Sequence, residues 1–232
     1  MKVLVVIPAR GGSKGVLKKN IKMLGDKPLI VHAIDCAKKS KSATKIIVST
    51  DCEEIAAIAR QNGCNTIIRP EDLSTDTSNV VTAVEHVYKE LNEIFDIIIL
   101  LQPTSPFRTS DDLDTIVSMF EQDKTIDGVI SVIPMQDMHP ARMYNFLSND
   151  EMVPFLSEGE TTRRQDLKPV YYRNGCFYAV RTAAFFNEKS FMVQHKKGYV
   201  MNANWLANID TPRDFKIAEI LYQDWKNEGF NN

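Results

Sequence analysis

The residues best suited to chemistry form the run Ala9-Arg10-Gly11-Gly12-Ser13-Lys14-Gly15, followed by Lys18, Lys19, Asn20 and Lys22. Glycines let backbone N–H groups approach phosphate oxygens closely, and Arg10 and Lys14 add charge neutralisation at the same point. The spacing is not Gly-x-x-x-x-Gly-Lys-Ser/Thr, nor is it Gly-x-Gly-x-x-Gly, so the ATPase and dinucleotide dehydrogenase readings lose their main support. In isolation such a loop reads as a tight turn with solvated lysines; its place directly after an apolar run favours a phosphate cradle. A second run, Leu101-Gln-Pro-Thr-Ser-Pro-Phe-Arg108, also follows an apolar stretch. Pro103 and Pro106 restrict the chain there and leave Gln102, Thr104, Ser105 and Arg108 near the edge of a sheet, where a side-chain amide can give and accept hydrogen bonds to a base or sugar.

The elements that must position these residues follow from periodicity. Lys2–Pro8, Lys45–Thr50, Asn65–Ile68 and Asp96–Leu101 are short and continuously apolar, the pattern of strands covered on both faces. Between them, Pro28–Lys39, Asp51–Asn62, Thr77–Leu91 and Ser110–Glu121 carry helical spacing, the last with Ser110, Asp111 and Asp112 at its start. Gly128–Met135, Gly175–Arg181 and Gly198–Met201 read as later strands. A final helix opens at Asp210, with Phe215, Ala218, Ile220, Leu221 and Trp225 on one side. Alternating strands and helices predict an α/β fold, a mostly parallel sheet flanked by helices, whose ligands bind at the carboxyl ends of the strands. Residues 1–232 are read as a single domain. Residues 138–169 are polar, irregular and too long for a plain connection, so they are read as an arm or lid.

Composition removes other classes. The 232 residues are 44% hydrophobic and 25% charged, enough for one sizeable core. Lys plus Arg number 28 against 30 Asp plus Glu, a net charge of -2 that provides no field for a polyphosphate backbone, so nucleic acid is not expected as a partner. No apolar run is long enough to cross a bilayer and the N-terminus does not read as a signal peptide, so neither a membrane nor secretion is expected. Cys36, Cys52, Cys64 and Cys176 have no metal or disulfide spacing, which suits free thiols in a reducing, cytoplasmic compartment. His32, His86, His139 and His195 show no metal spacing either and are expected on the surface or on helix faces.

Taken in order, Ile7–Gly15 with Lys19-Asn20, Val48–Asp51, Arg69-Pro70, Leu101–Arg108, Asn174-Gly175 and Ile209-Asp210-Thr211 resemble the acylneuraminate cytidylyltransferases, the CMP-sialic acid synthetases, across almost the whole chain. The resemblance implies a nucleotide-diphospho-sugar transferase type of fold. It also implies an enzyme that uses Mg²⁺ to join CMP from CTP to the anomeric hydroxyl of a sialic-acid-like 2-keto sugar acid, releasing pyrophosphate. Such a transfer needs positioning and charge neutralisation rather than a covalent nucleophile. By resemblance Arg10, Ser13 and Lys14 bind triphosphate, with Lys14 stabilising the leaving group and Asn20 bordering the nucleotide. Arg69 reads cytosine beside Ser78 and Asn79, and Gln102, Thr104 and Ser105 face the ribose and the sugar acid; Arg10, Lys14 and Gln102 are the expected catalytic set.

The metal position departs from the family pattern of two aspartates one residue apart, because this chain has Asn208-Ile209-Asp210. Alternation along an extended segment lets positions 208 and 210 face one ion, and an amide oxygen with a carboxylate suits Mg²⁺. Asp210 as a simple helix cap is the plain alternative. The resemblance assigns the 138–169 arm to homodimerisation and to completing the sugar pocket, with Arg142, Arg164, Gln165 and Tyr178 near the sugar acid; the alternatives are a solvated arm and a core tyrosine. Two further readings are a Kdo or other sugar nucleotidyltransferase, and a non-catalytic nucleotide-sugar-binding relative, which Asn208 motivates.

Overall fold

The computed structural model describes residues 1–13, 15–74, 78–135 and 137–230. In chain order the elements are β1 (Val3–Pro8), β2 (Met23–Leu24), β3 (Lys27–Pro28), α1 (Leu29–Lys39), β4 (Lys45–Thr50), α2 (Glu53–Gln61), β5 (Asn65–Ile68), α3 (Val80–Leu91) and β6 (Ile97–Leu100). There follow α4 (Ser110–Gln122), β7 (Gly128–Met135), β8 (Tyr144–Phe146), β9 (Met152–Pro154), β10 (Val170–Arg181), α5 (Thr182–Glu188), β11 (Lys196–Val200) and α6 (Pro212–Asn227). Seven strands form one sheet in the order β11-β7-β10-β6-β1-β4-β5. Only β10 runs against its neighbours, β6 and β7; the other pairs are parallel. The expected mostly parallel sheet is therefore present.

In β1, β4 and β6 continuous apolarity has the predicted cause, whereas β5 is an edge strand whose Asn65 and Ile68 are exposed rather than covered on both faces. Val3, Val5 and Ile7 of β1 pack with α1, α2 and α4, whereas Leu4 and Val6 pack with α3 and α5 on the other face, and all five are fully buried. After β1 the chain crosses to β4 and β5 on one side, then returns past β1 to β6 on the other. The order reverses between β1 and β6, and a crevice opens at their carboxyl ends, where sheets of this kind take ligands.

Several local expectations change. The α4 cap is Thr109, not Ser110: its hydroxyl accepts from the Asp112 N–H while Asp112 accepts in return, and Thr211 with Asp214 repeats the arrangement at α6. In α6 the buried residues are Phe215, Ala218, Tyr222 and Trp225; Ile220 is exposed. His139 is buried rather than on the surface, whereas His32 lies on the buried face of α1, a helix-face position as expected; each ring Nε2 is 2.9–3.0 Å from a carbonyl, of Lys168 and Leu24 respectively. The helix α5 was not anticipated, and β10 begins five residues before the expected Gly175. The arm contains an antiparallel hairpin of β8 and β9 rather than irregular chain alone. Cys36, Cys64 and Cys176 are buried free thiols, as expected.

A third apolar cluster joins α6 to the rest, with Phe107, Trp205, Phe215, Tyr222 and Trp225 packed together. The turn between β2 and β3 leans on it: Gly25 has φ +65 and lies so close to the Tyr222 ring that a Cβ would overlap it. The Tyr222 hydroxyl donates to Asp26 Oδ1 at 2.5 Å, which holds the Asp26 carboxyl at about 2, while burial and Asp26 push the Tyr222 hydroxyl up to about 12. Asp26 is thus lowered in the folded state, and its stabilising contribution is present above the ordinary aspartate pKa and lost as pH falls toward 2. Tyr222→Phe should cost about 1 kcal/mol or less near neutrality, since the Asp26 carboxylate is exposed to solvent. Urea midpoints of the two proteins should converge between pH 5 and pH 2; an unchanged gap would remove this bond from the account.

Candidate nucleotide-binding cleft

A cleft of about 360 Å³ lies at the carboxyl ends of β1, β5 and β6 and is closed on one side by the segment leading into α6. Of the residues singled out from sequence, Arg10, Ser13, Asn20, Arg69, Ser78, Gln102, Thr104 and Asp210 all line it. Lys14 lies outside the described residues. Lys19, Leu73, Ser74 and Val80 also line the cleft without having been assigned a role. Lys19 stood in the Lys19-Asn20 pair of the motif, and its charge was the available signal.

Each wall is held by specific bonds. The glycine loop is tied to β4 by the Gly11 N–H, which donates to Asp51 Oδ1 at 2.9 Å. Buried Asn20 donates from Nδ2 to the Arg10 carbonyl at 2.9 Å, so it braces the loop as well as lining the cleft. Gly15 packs on the Asp210 carbonyl so closely that a Cβ there would collide with it. Lys19 Nζ donates to the Ile209 carbonyl at 2.7 Å and pairs with Asp210 Oδ1 at 3.1 Å, while the Ile209 N–H donates to the Thr104 carbonyl at 2.9 Å. Three segments far apart in sequence are thereby drawn to one edge.

Cations dominate the electrostatics, with Arg10, Lys19 and Arg69 set against Asp210. Arg69 is 7% exposed, and its Nε has no hydrogen-bond partner among the described residues. Burial lowers its pKa, opposed by Asp51 and reinforced by Arg10. A buried donor of this kind at a cleft wall is suited to an acceptor on a ligand.

Other expected site residues lie elsewhere. Ser105 is wholly buried behind the wall, and Arg108, expected near the sheet edge, is wholly buried too. Tyr178 lines a neighbouring cavity of about 260 Å³ with Leu100, Phe191 and Met192; Gln102 and Val80 belong to both cavities. Arg164 and Gln165 line a third cavity, of about 730 Å³, against the arm, where Arg164 pairs with Asp137 at 2.8 Å; Arg142 is exposed on the arm. Ile209 points into the core while Asn208 and Asp210 are exposed, so the predicted alternation is present, although only Asp210 reaches the cleft. Among the described residues no group of three His, Cys, Asp or Glu is gathered as a metal site.

Comparison with known proteins follows the same lines. A family model described as "Cytidylyltransferase" matches residues 4–230. The CMP-N,N'-diacetyllegionaminic acid synthase of Legionella pneumophila is 36% identical over 96% of this chain and 97% of that protein. The N-acylneuraminate cytidylyltransferase of Escherichia coli is 32% identical over 96% of this chain but 52% of its own length, so the chain spans about half of that relative. The pseudaminic acid cytidylyltransferase of Campylobacter jejuni is 31% identical over 96% and 97%. Among solved structures, a CMP:2-keto-3-deoxy-manno-octonic acid synthetase complexed with CTP superposes with TM-score 0.75 at 16% identity, covering 97% of this chain and 99% of the other, a likeness of fold. With its sheet, its cleft and 227 consecutive positions matched by that family model, the chain belongs to the cytidylyltransferase family.

Proposed function

We propose that this protein transfers CMP from CTP to the anomeric hydroxyl of a sialic-acid-like nine-carbon 2-keto acid, in the cytosol, with release of pyrophosphate. The observation that carries this reading is the convergence in one cleft of Arg10, Ser13, Asn20, Arg69, Gln102 and Asp210, in a chain whose full-length relatives act on legionaminic and pseudaminic acids by name. The anomeric oxygen forms a bond to the α-phosphorus as the bond to the bridging oxygen of pyrophosphate breaks, and the hydroxyl proton leaves to solvent. Arg10, Ser13 and Lys14, with the loop amides, take the triphosphate, and Lys14 and Arg10 offset charge on the departing pyrophosphate. Arg69 meets the cytosine edge beside Ser78. Gln102 and Thr104 stand between the nucleotide and the acceptor, whose ring would occupy the cavity lined by Tyr178.

The donor set fits Mg²⁺ only in company with phosphate. Asp210 offers one carboxylate and Asn208 one amide oxygen, which suits an ion that keeps waters and phosphate oxygens around it. Bound there, it would neutralise triphosphate charge and polarise the α-phosphoryl group. Asp210 would have to exchange its pairing with Lys19 for the ion, which would leave Lys19, still held by the Ile209 carbonyl, with donors for phosphate.

A homodimer is proposed through the arm, because Phe146, Met152, Val153, Phe155 and Leu156 are all exposed on and beside the hairpin, with Phe146 and Met152 paired across it. Arg142, Arg164 and Gln165 would then reach the partner's acceptor pocket. Among the described residues no helix is long and apolar enough to cross a membrane.

The deciding experiment is pyrophosphate release with Mg²⁺, pairing CTP, UTP, ATP and GTP with Neu5Ac, KDN, legionaminic acid, pseudaminic acid and Kdo. Release confined to CTP with a nonulosonic acid is expected; release with Kdo alone would favour the octulosonate reading, and CTP binding without release a non-catalytic relative. Asn208→Asp, which adds a second carboxylate, should lower the Mg²⁺ concentration for half-maximal rate several-fold. An unchanged Mg²⁺ titration would remove Asn208 from the site.

A further inference from the structure

Ser105 lies in the loop that follows β6. Its side chain is fully buried, and its hydroxyl oxygen has no hydrogen-bond partner among the described residues. An unpaired buried hydroxyl is destabilising, and a neighbouring polar group able to turn toward it relieves that cost. The neighbourhood identifies that group. Gly175 sits in a left-handed conformation, φ +78, within an irregularity of β10 where the register against β7 shifts between Arg173 and Tyr178. A Cβ built on Gly175 would stand 2.5 Å from Ser105 Oγ and 3.4 Å from Gln102 Oε1. The hydroxyl and the carboxamide oxygen therefore converge on the one small space that the missing side chain leaves open.

The backbone around that space is held by hydrogen bonds. The Ser105 N–H donates to the Gln102 carbonyl at 3.2 Å, and Arg108 donates to the same carbonyl at 2.7 Å and to the Cys176 carbonyl at 2.6 Å. Only the Gln102 side chain, which lies in both cavities, and the Ser105 hydroxyl rotor are left to adjust.

We infer that Ser105 is a positioning residue: its hydroxyl donates to Gln102 Oε1 when the acceptor binds, turning the Gln102 amide N–H groups toward the bound sugar acid. An amide so fixed is a donor, matched to a carboxylate or hydroxyl oxygen, whereas an unfixed one presents either end. This moves Ser105 from the ligand-contacting role implied by resemblance to one exerted through Gln102, and it rests on the acceptor lying beside Gln102 as proposed above. Gly175 is part of the device, since any side chain there would separate the two groups.

The test is a double-mutant cycle with Ser105→Ala and Gln102→Ala, read as kcat/KM for the sugar acid and as CTP affinity by calorimetry. Ser105→Ala should lower kcat/KM for the acid about tenfold, the scale of one oriented hydrogen bond, with CTP affinity within about twofold. In the Gln102→Ala background the same change should have no further effect, and the melting temperature of Ser105→Ala should be unchanged or higher, because an unpaired hydroxyl has been removed. Equal activity of Ser105→Ala and the parent, or additive losses in the cycle, would overturn the inference while leaving the proposed reaction intact. Absence of turnover by the parent protein with every acid would instead overturn the proposed reaction, and the inference with it.

Discussion

Arg108 donates from Nη1 to the Cys176 carbonyl and from Nη2 to the Gln102 carbonyl, with its guanidinium wholly buried and 5.8 Å from the centre of the Phe177 ring. A cation removed from water is strongly unfavourable unless its donors are satisfied, so both carbonyls must stay where they are. The Gln102 carbonyl lies in the loop just past β6 and the Cys176 carbonyl in the irregular stretch of the antiparallel β10. The bridge therefore fixes the loop that carries Gln102 and Thr104 relative to Gly175, and the cleft wall is a consequence of that arrangement.

The same loop anchors the C-terminal part of the fold. Phe107 packs on Trp205 and Trp225, whose rings lie 5.1 Å apart, and this aromatic cluster seats α6. The Ile209-to-Thr104 backbone bond then brings Asp210 beside the loop, and Lys19 and Gly15 close on it from the N-terminal segment. Asp51 performs the matching service for Gly11. Loop, wall and acidic position are mutually dependent, which is why residues from the first and last tenths of the chain share one cleft.

Much of this was legible beforehand, for physical reasons. Buried parallel strands are continuously apolar and helices repeat every 3.6 residues, so β1, β4, β6 and α1 to α4 stood out, while β5 stood out by its β-branched run although it lies exposed at the sheet edge. The cleft residues were legible because they follow strand ends and carry polar groups where a turn needs none. What the sequence did not disclose depends on long-range geometry. Nothing local distinguishes Arg108, a structural bridge, from Arg10, a cleft cation; burial alone separates them. Gly175 hid the continuity of β10, because a left-handed glycine inside a strand reads as its beginning. Ser105 resembled Thr104 in type and neighbourhood, yet chain direction sends one into the core and leaves the other at the wall.

Cationic side chains and one exposed carboxylate suit a ligand with a charged triphosphate and a base whose edge can accept from Arg69. The cleft is proposed to hold the cytidine nucleotide. A crystal structure with a CTP analogue resistant to α–β cleavage tests it directly. Phosphates are expected on the loop from Arg10 to Asn20 and cytosine against Arg69, with the ribose near Gln102. Electron density for the nucleotide elsewhere, or cytosine turned away from Arg69, would contradict that placement.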